Sequence, residues 1–441
     1  VSAAALSYLS SRGGVAPATF SQALLQGLAG DGGLYVPSRW PQFTPEDFAG
    51  AATLPQVAAR FIAGFVAAEP IAAEVPAIVE EAFNFPAPRV TLDDDDRLAV
   101  LELFHGPTAA FKDFGARFLA ACFSRLRRGA QRPLTILVAT SGDTGGAVAA
   151  AFHGRPGIEV VVLFPKGLVS PTQERQLTCW GGNVRALAVR GTFDDCQRLV
   201  KEAFLDEALR SRSQLSSANS INLGRLLPQA VYYAATALAV WRAHGEPACF
   251  IIPSGNLGNA VACLWARAAG LPIGELVLAH NANRAVPDYL ESGRWQPRPS
   301  IATLASAMDV GNPSNMERLR ALFPQLTDLR HALSARSVSD TEIRARIRIG
   351  YEQYGQIWCP HTATAAEAWE RLTPERRAAR RWVLVSTAHP AKFPEIVEPL
   401  IGRKVPVPQT LAALLARPTQ SVEIDPQLAA LEAVLAERSE Q

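Results

Sequence analysis

Lysine is scarce in this chain, and the scarcity is chemically informative. Of 43 basic side chains only five are lysine: Lys112, Lys166, Lys201, Lys392 and Lys404. Where arginine serves nearly everywhere, a retained lysine marks a place that needs an amine. An amine can lose its proton near neutral pH and form a Schiff base, which a guanidinium cannot. Lys112 has the most telling context. It ends the run Glu102-Leu103-Phe104-His105-Gly106-Pro107-Thr108-Ala109-Ala110-Phe111 and precedes Asp113-Phe114-Gly115. That pattern reads as a strand end, a Gly-Pro turn and a helix start between aromatic residues. A positive helix end and partial desolvation both lower an amine's pKa. Taken alone, such a lysine is more often a plain surface charge.

Two glycine-rich segments give it company. Ser141-Gly142-Asp143-Thr144-Gly145-Gly146-Ala147-Val148-Ala149 matches Ser254-Gly255-Asn256-Leu257-Gly258-Asn259-Ala260-Val261-Ala262 at six of nine positions. Each follows a strand-like run and opens a helix-like one. Such turns expose backbone N–H groups at a positive helix end, and glycine lets an anion approach the backbone. Neither segment is a phosphate loop of the Gly-Lys-Ser/Thr kind, and neither reads Gly-x-Gly-x-x-Gly, which counts against a nucleotide or dinucleotide. Two such loops suggest two anionic groups held in one cleft. A third cluster, Ser217-Ala218-Asn219-Ser220-Ile221-Asn222-Leu223-Gly224-Arg225, offers amide, hydroxyl and guanidinium donors suited to an oxyanion, or else an ordinary helix cap with a surface arginine. A fourth, Ser386-Thr387-Ala388-His389-Pro390-Ala391-Lys392-Phe393, puts hydroxyls at a strand end.

These residues need a scaffold, and the hydrophobic pattern predicts one. Apolar runs at 134–139, 158–164, 184–189, 249–252, 275–279 and 382–386 read as strands separated by helices. That makes an α/β protein with mostly parallel sheets, covered on both faces. The segment 223–244 reads as one long helix despite Pro228, and the tail after Lys404 as surface helices. The first hundred residues are Ala- and Pro-rich and mostly helical, ending in a hairpin around the acidic turn Asp93–Asp96, which we read as solvated rather than metal-binding. The expected division is an N-terminal domain (1–98), a smaller α/β domain (99–222) and a larger one (223–441), with a cleft between the last two.

Composition narrows the function. Hydrophobic residues make up 48% and charged ones 19% of 441 residues, against disorder. A net charge of +2 without a basic stripe gives no case for nucleic acid. No apolar run approaches the roughly 18–20 residues of a membrane span. Six scattered cysteines, without a Cys-x-x-Cys pair, and an N-terminus without a secretory pattern suggest a cytoplasmic protein with reduced thiols and no metal.

The segments 102–115, 140–145, 217–222, 253–258 and 386–393, in that order, resemble the threonine synthase family, and Asp31-Gly32-Gly33-Leu34-Tyr35-Val36-Pro37 resembles its N-terminal region. The likeness is to the longer form of the enzyme. It implies pyridoxal-phosphate (PLP) fold type II, similar to the tryptophan synthase β chain, with pyridoxal 5′-phosphate as cofactor and O-phospho-L-homoserine as substrate. Lys112 would hold the cofactor. Gly255, Asn256, Leu257, Gly258 and Asn259 would cradle its phosphate, and Thr387 would meet the pyridine nitrogen. Asp143 would lie beside the 3′-oxygen, where an acid is unexpected and leaves its protonation state open. Thr140, Ser141 and Thr144 would hold the substrate carboxylate, and Asn219, Ser220 and Arg225, with Asn256, the substrate phosphate. A monomer or homodimer is expected. A lyase of the same fold acting on another hydroxy or phosphorylated amino acid, or a catalytically silent relative, are the alternatives.

Overall fold

The computed structural model describes residues 6–140 and 142–436. Two sheets form the frame. The larger has six strands in the order Ser334–Ser337, Ile273–His280, Ala248–Pro253, Arg381–Ser386, Leu98–Glu102, Arg89–Thr91. Its neighbours are parallel except the last pair, a hairpin. The smaller has five parallel strands in the order Val422–Ile424, Val184–Val189, Ile158–Pro165, Leu134–Ala139, Gln214–Ser217. The inner strands are near-continuous apolar runs because both sheet faces are covered: all six residues of Ala248–Pro253 and of Arg381–Ser386 are buried.

Sheet membership departs from the expected boundaries in two places. The strand that leads to Lys112, Leu98–Glu102, pairs with Arg381–Ser386 in the larger sheet, so the lysine-bearing turn does not start in the smaller one. The tail is not only helical: Val422–Ile424 adds an edge strand to the smaller sheet, and Leu431 joins the apolar cluster beneath it. Pro228 also breaks the long helix expected over 223–244. A proline has no N–H to donate, so Leu223–Leu226 stops and Gln229–His244 starts with Pro228 as its cap.

The N-terminal helices Phe20–Gln26, Leu54–Val66 and Val75–Ala82 share one apolar core with the rest of the chain. Phe83 stacks on Phe118 of the Lys112 helix with ring centroids 6.2 Å apart. The helix carrying Lys112 is therefore packed from the N-terminal side as well as by the helices Asp143–Phe152 and Leu223–Leu226.

Candidate functional site

Lys112 is the first residue of the helix Lys112–Leu126. The turn before it is held by Asp113, whose carboxylate accepts from the Thr108 amide at 2.8 Å and the Thr108 hydroxyl at 2.7 Å. Gly106 has to be glycine there, since a Cβ would sit 2.5 Å from Asp113 Oδ2. The same turn is pinned to the end of the strand Arg381–Ser386. The Phe111 amide donates to the Thr387 carbonyl at 2.8 Å and the His389 amide to the Ala109 carbonyl at 3.0 Å. Two motifs far apart in sequence thus become neighbours, and Lys112 starts its helix beside Thr387.

Lys112 is half-buried, with its ammonium 4.4 Å from the centre of the Phe111 ring and no ion-pair partner among the described residues. Burial, then the positive charge of Arg225, lower its pKa to about 8, against an opposing pull from Asp143. An amine with that pKa keeps a far larger neutral fraction near physiological pH than an ordinary lysine, as an imine-forming lysine requires.

The first glycine turn is organised by Thr140. Its hydroxyl accepts from the amides of Gly142 (3.0 Å) and Gly145 (2.9 Å) and donates to the Gly142 carbonyl at 3.1 Å. In this arrangement the hydroxyl is engaged within the turn, which Thr140 thereby shapes. Thr144 lines the cavity. Ser141 lies outside the described residues.

The second turn runs from Gly255 into the helix Gly258–Ala268, with Leu257 in the left-handed conformation at φ +63°. The first amides of such a helix have no intrahelical acceptor. Gly255 allows close packing, since a Cβ there would lie 2.8 Å from Met308 Cα. The Asn259 side-chain oxygen accepts from the hydroxyls of Tyr232 and Tyr233, which leaves its Nδ2 buried without a partner. An orphaned buried donor beside free helix amides is what an anion's oxygens would satisfy. The residues present therefore fit a phosphate group.

The two loops meet through a network that the sequence reading missed. Asn256 Nδ2 donates to Ser220 Oγ at 2.7 Å, and the amide and hydroxyl of Ser314 donate to Asn256 Oδ1 at 2.6 and 2.8 Å. Arg318 is fully buried and donates to the carbonyls of Tyr35, Ser220 and Ile221 and to Asn315 Oδ1, without an ion-pair partner among the described residues. It ties the N-terminal region to the Ser217–Asn222 loop. The run Asn312-Pro313-Ser314-Asn315 was the available signal, a second Ser/Asn donor cluster of the kind already noted at 217–222.

One cavity of about 880 Å³ gathers Lys112, Thr140, Thr144, Asn219, Ser220 and Asn256. These residues come from beyond the carboxyl ends of strands in both sheets, where open α/β sheets bind ligands. Arg225 is a correction. Its guanidinium is buried, bonded to the Ala218 carbonyl, and absent from the cavity lining. Gly115 of the Lys112 helix packs against it: an added Cβ there would lie 2.6 Å from the Arg225 carbonyl oxygen and 3.0 Å from its Nε. From its buried place the guanidinium acts on Lys112 by charge instead of contacting a ligand.

Asp143 begins the helix Asp143–Phe152 and is nearly buried. It has a partner that the sequence did not disclose, Lys392, whose ammonium lies 2.7 Å from Asp143 Oδ1. Burial pushes the Asp143 carboxyl up, but the charge and hydrogen bond of Lys392, with Gln173 and His361, hold it below the ordinary carboxylate value. Among the described residues no group of three or more His, Cys, Asp or Glu could hold a metal, and no helix is long and apolar enough to cross a membrane. All six cysteines are free and buried.

Comparison with known proteins agrees with this geometry. Residues 85–388 match the model of pyridoxal-phosphate dependent enzymes. Residues 7–83 match the threonine synthase N terminus and 362–435 its C-terminal region. The chain is 41% identical to threonine synthase of Haemophilus influenzae, over 95% of this chain and 96% of that one. It superposes on the crystal structure of threonine synthase from Escherichia coli with a TM-score of 0.90 at 37% identity, covering 98% of this chain and 99% of that one. The PLP-bound threonine synthase from Brucella melitensis also superposes with a TM-score of 0.90, at 36% identity, covering 99% and 100% of the two chains.

Proposed function

The chain belongs to the threonine synthase family of pyridoxal-phosphate-dependent enzymes, and from that premise we propose that it converts O-phospho-L-homoserine and water to L-threonine and phosphate. The observation that carries the reading is that one cavity gathers Lys112, whose pKa is lowered, with donors from the Asn219–Ser220 loop and from Asn256 of the second glycine turn. An unphosphorylated amino acid would need only one phosphate cradle, the cofactor's own. A second cluster built from Ser220, Asn219 and Asn256 is what a phosphorylated substrate adds.

In this reading Lys112 holds the cofactor, the amides of Gly255, Asn256, Leu257, Gly258 and Asn259 hold its phosphate, and the Thr387 hydroxyl meets the ring nitrogen. Asp143 lies beside the ring's 3′-oxygen. When bound, the cofactor supplies the electron sink that makes the substrate's Cα proton acidic. Thr144 and Ser141 hold the substrate carboxylate in a turn braced by Thr140. Lys112 carries one proton at a time: it gives up the proton taken from Cα before taking one from Cβ, phosphate leaves from Cγ with the C–O electron pair, and protons are returned to Cγ and, once water has added, finally to Cα. Ser220, Asn219 and Asn256 stabilise the charge that collects on the departing phosphate. Water then adds at Cβ, and the departing phosphate is well placed to take its proton. Arg225 adds its charge to burial in lowering the Lys112 pKa, which eases loss of the amine's proton. The catalyst works in the cytoplasm as a monomer or homodimer.

The test is an assay of the loaded enzyme with O-phospho-L-homoserine, measuring phosphate and amino acid product together. Equimolar phosphate and L-threonine are expected. Phosphate accompanied by 2-oxobutyrate and no threonine would favour a lyase of the same fold.

A further inference from the structure

A second lysine lies at this site, and nothing in the reaction so far uses it. Lys392 is 0% exposed and sits in the short turn Pro390–Lys392 beyond the central strand of the larger sheet. Its ammonium makes two contacts: 2.7 Å to Asp143 Oδ1 and 2.9 Å to the Thr108 carbonyl. Those contacts join three segments: the turn before Lys112, the helix that starts at Asp143, and the strand-end turn that carries Thr387. Gln173 completes the arrangement by donating to the same Asp143 oxygen at 3.0 Å, and Gln176 by donating to the Thr108 carbonyl at 3.0 Å.

We propose that Lys392 is the positioning residue for Asp143, a fixed counter-charge that makes the acid and the ammonium a net-neutral pair at the cofactor's side of the cavity. The proposal rests on the PLP reading above. A lone buried carboxylate this close to Lys112 would repel the negatively charged oxygens of a bound cofactor and would take up a proton to escape burial. Paired with Lys392, it stays ionised and oriented, and the pair adds no net charge beside Lys112. The buried acid thus comes with its own compensation across the fold. The pairing also explains why Lys392 is not a competing nucleophile: its ammonium is engaged by a carboxylate and a carbonyl. Lys112 has no ion-pair partner among the described residues. The other charged or titratable groups facing the pair are Lys112, His361, His389, Cys359 and Asp113. Burial lowers His361 to about 4, so it is neutral at physiological pH and does not substitute for Lys392.

Breaking one half of a buried pair should harm more than removing both charges. Lys392→Met is expected to lower kcat by about thirtyfold with KM changed less than about threefold. It should also move the pH midpoint of the visible absorption of the loaded enzyme by more than about one unit. The double variant Asp143→Asn/Lys392→Met should have a kcat at least about fivefold above that of Lys392→Met and a midpoint moved back toward wild type. Thermal unfolding of the cofactor-free protein should follow the same order, with the double variant above Lys392→Met. Wild-type kcat and midpoint in Lys392→Met would overturn the proposal. So would a double variant that regains stability without regaining kcat, since the role would then be structural only. If Lys392→Met does not fold, the double variant is compared with Asp143→Asn, which strands the buried ammonium; equal activity of those two would overturn it as well. Any of these failures leaves the reading of Lys112 intact if the reduced cofactor is still found on Lys112, whereas cofactor found on Lys392 would defeat that reading itself.

Discussion

Lys112→Ala is expected to lower kcat with O-phospho-L-homoserine by at least about 10³-fold, the range typical of losing a nucleophile that is also the proton-transfer group. The same residue is asked both to hold the cofactor and to move the Cα proton, so no neighbour can take over both tasks. Lys392 is engaged by Asp143 and Thr108. Lys112→Arg should fare no better, because a guanidinium keeps the charge but forms no Schiff base. Folding should be nearly unaffected. Lys112 is half-buried and its ammonium has no ion-pair partner among the described residues, so the alanine variant should unfold within about 1 kcal/mol of wild type. Steady-state kinetics paired with denaturant unfolding checks both halves. A variant that keeps more than a tenth of wild-type kcat would contradict the assignment.

Gly255→Ala should weaken cofactor retention by about 10²-fold, roughly 2.7 kcal/mol. The added Cβ would meet Met308 Cα at 2.8 Å and the Ala307 carbonyl oxygen at 3.1 Å. Both are backbone atoms, so no side chain can rotate away, and the loop itself has to shift. The loop continues into Leu257, already left-handed, and into the first amides of the helix Gly258–Ala268. A displacement of a few tenths of an ångström there misdirects the N–H groups at the anion they hold, and misplacement on that scale is expensive. Dialysis against cofactor-free buffer, followed by absorbance, measures the loss. Raising the cofactor concentration should restore much of the turnover, which separates this variant from Lys112→Ala.

The inner strands and both glycine turns were legible in the sequence because their signals are local. A buried parallel strand is an uninterrupted apolar run, and a strand-glycine-helix transition shows itself within nine residues. Among the missed strands, Gln214–Ser217 and Ser334–Ser337 are short, polar and carry no such signal; the first is an edge of the smaller sheet and the second of the larger. At the site the same contrast holds. Lys112, Thr144 and Asn256 stood out because each sits in a motif that has chemistry within a few residues. Arg225 was misread because its motif tells which residue is present but not which way the side chain turns. Lys392 and Asp143 are 249 positions apart, and Arg318 bonds to a carbonyl 283 positions away. Pairings of that kind are tertiary and leave no trace in spacing. The scarcity of lysine flagged Lys392 as a candidate without showing that its role is to balance a charge.

The most direct measurement is borohydride reduction of the loaded enzyme, then proteolysis and mass spectrometry to locate the pyridoxyl adduct. Reduction turns the link between cofactor and lysine into a stable secondary amine, so the site is read without reference to activity. The adduct is predicted on the peptide containing Lys112 and on no other lysine. An adduct on Lys392 or Lys166, or none on any of the five, would contradict the account.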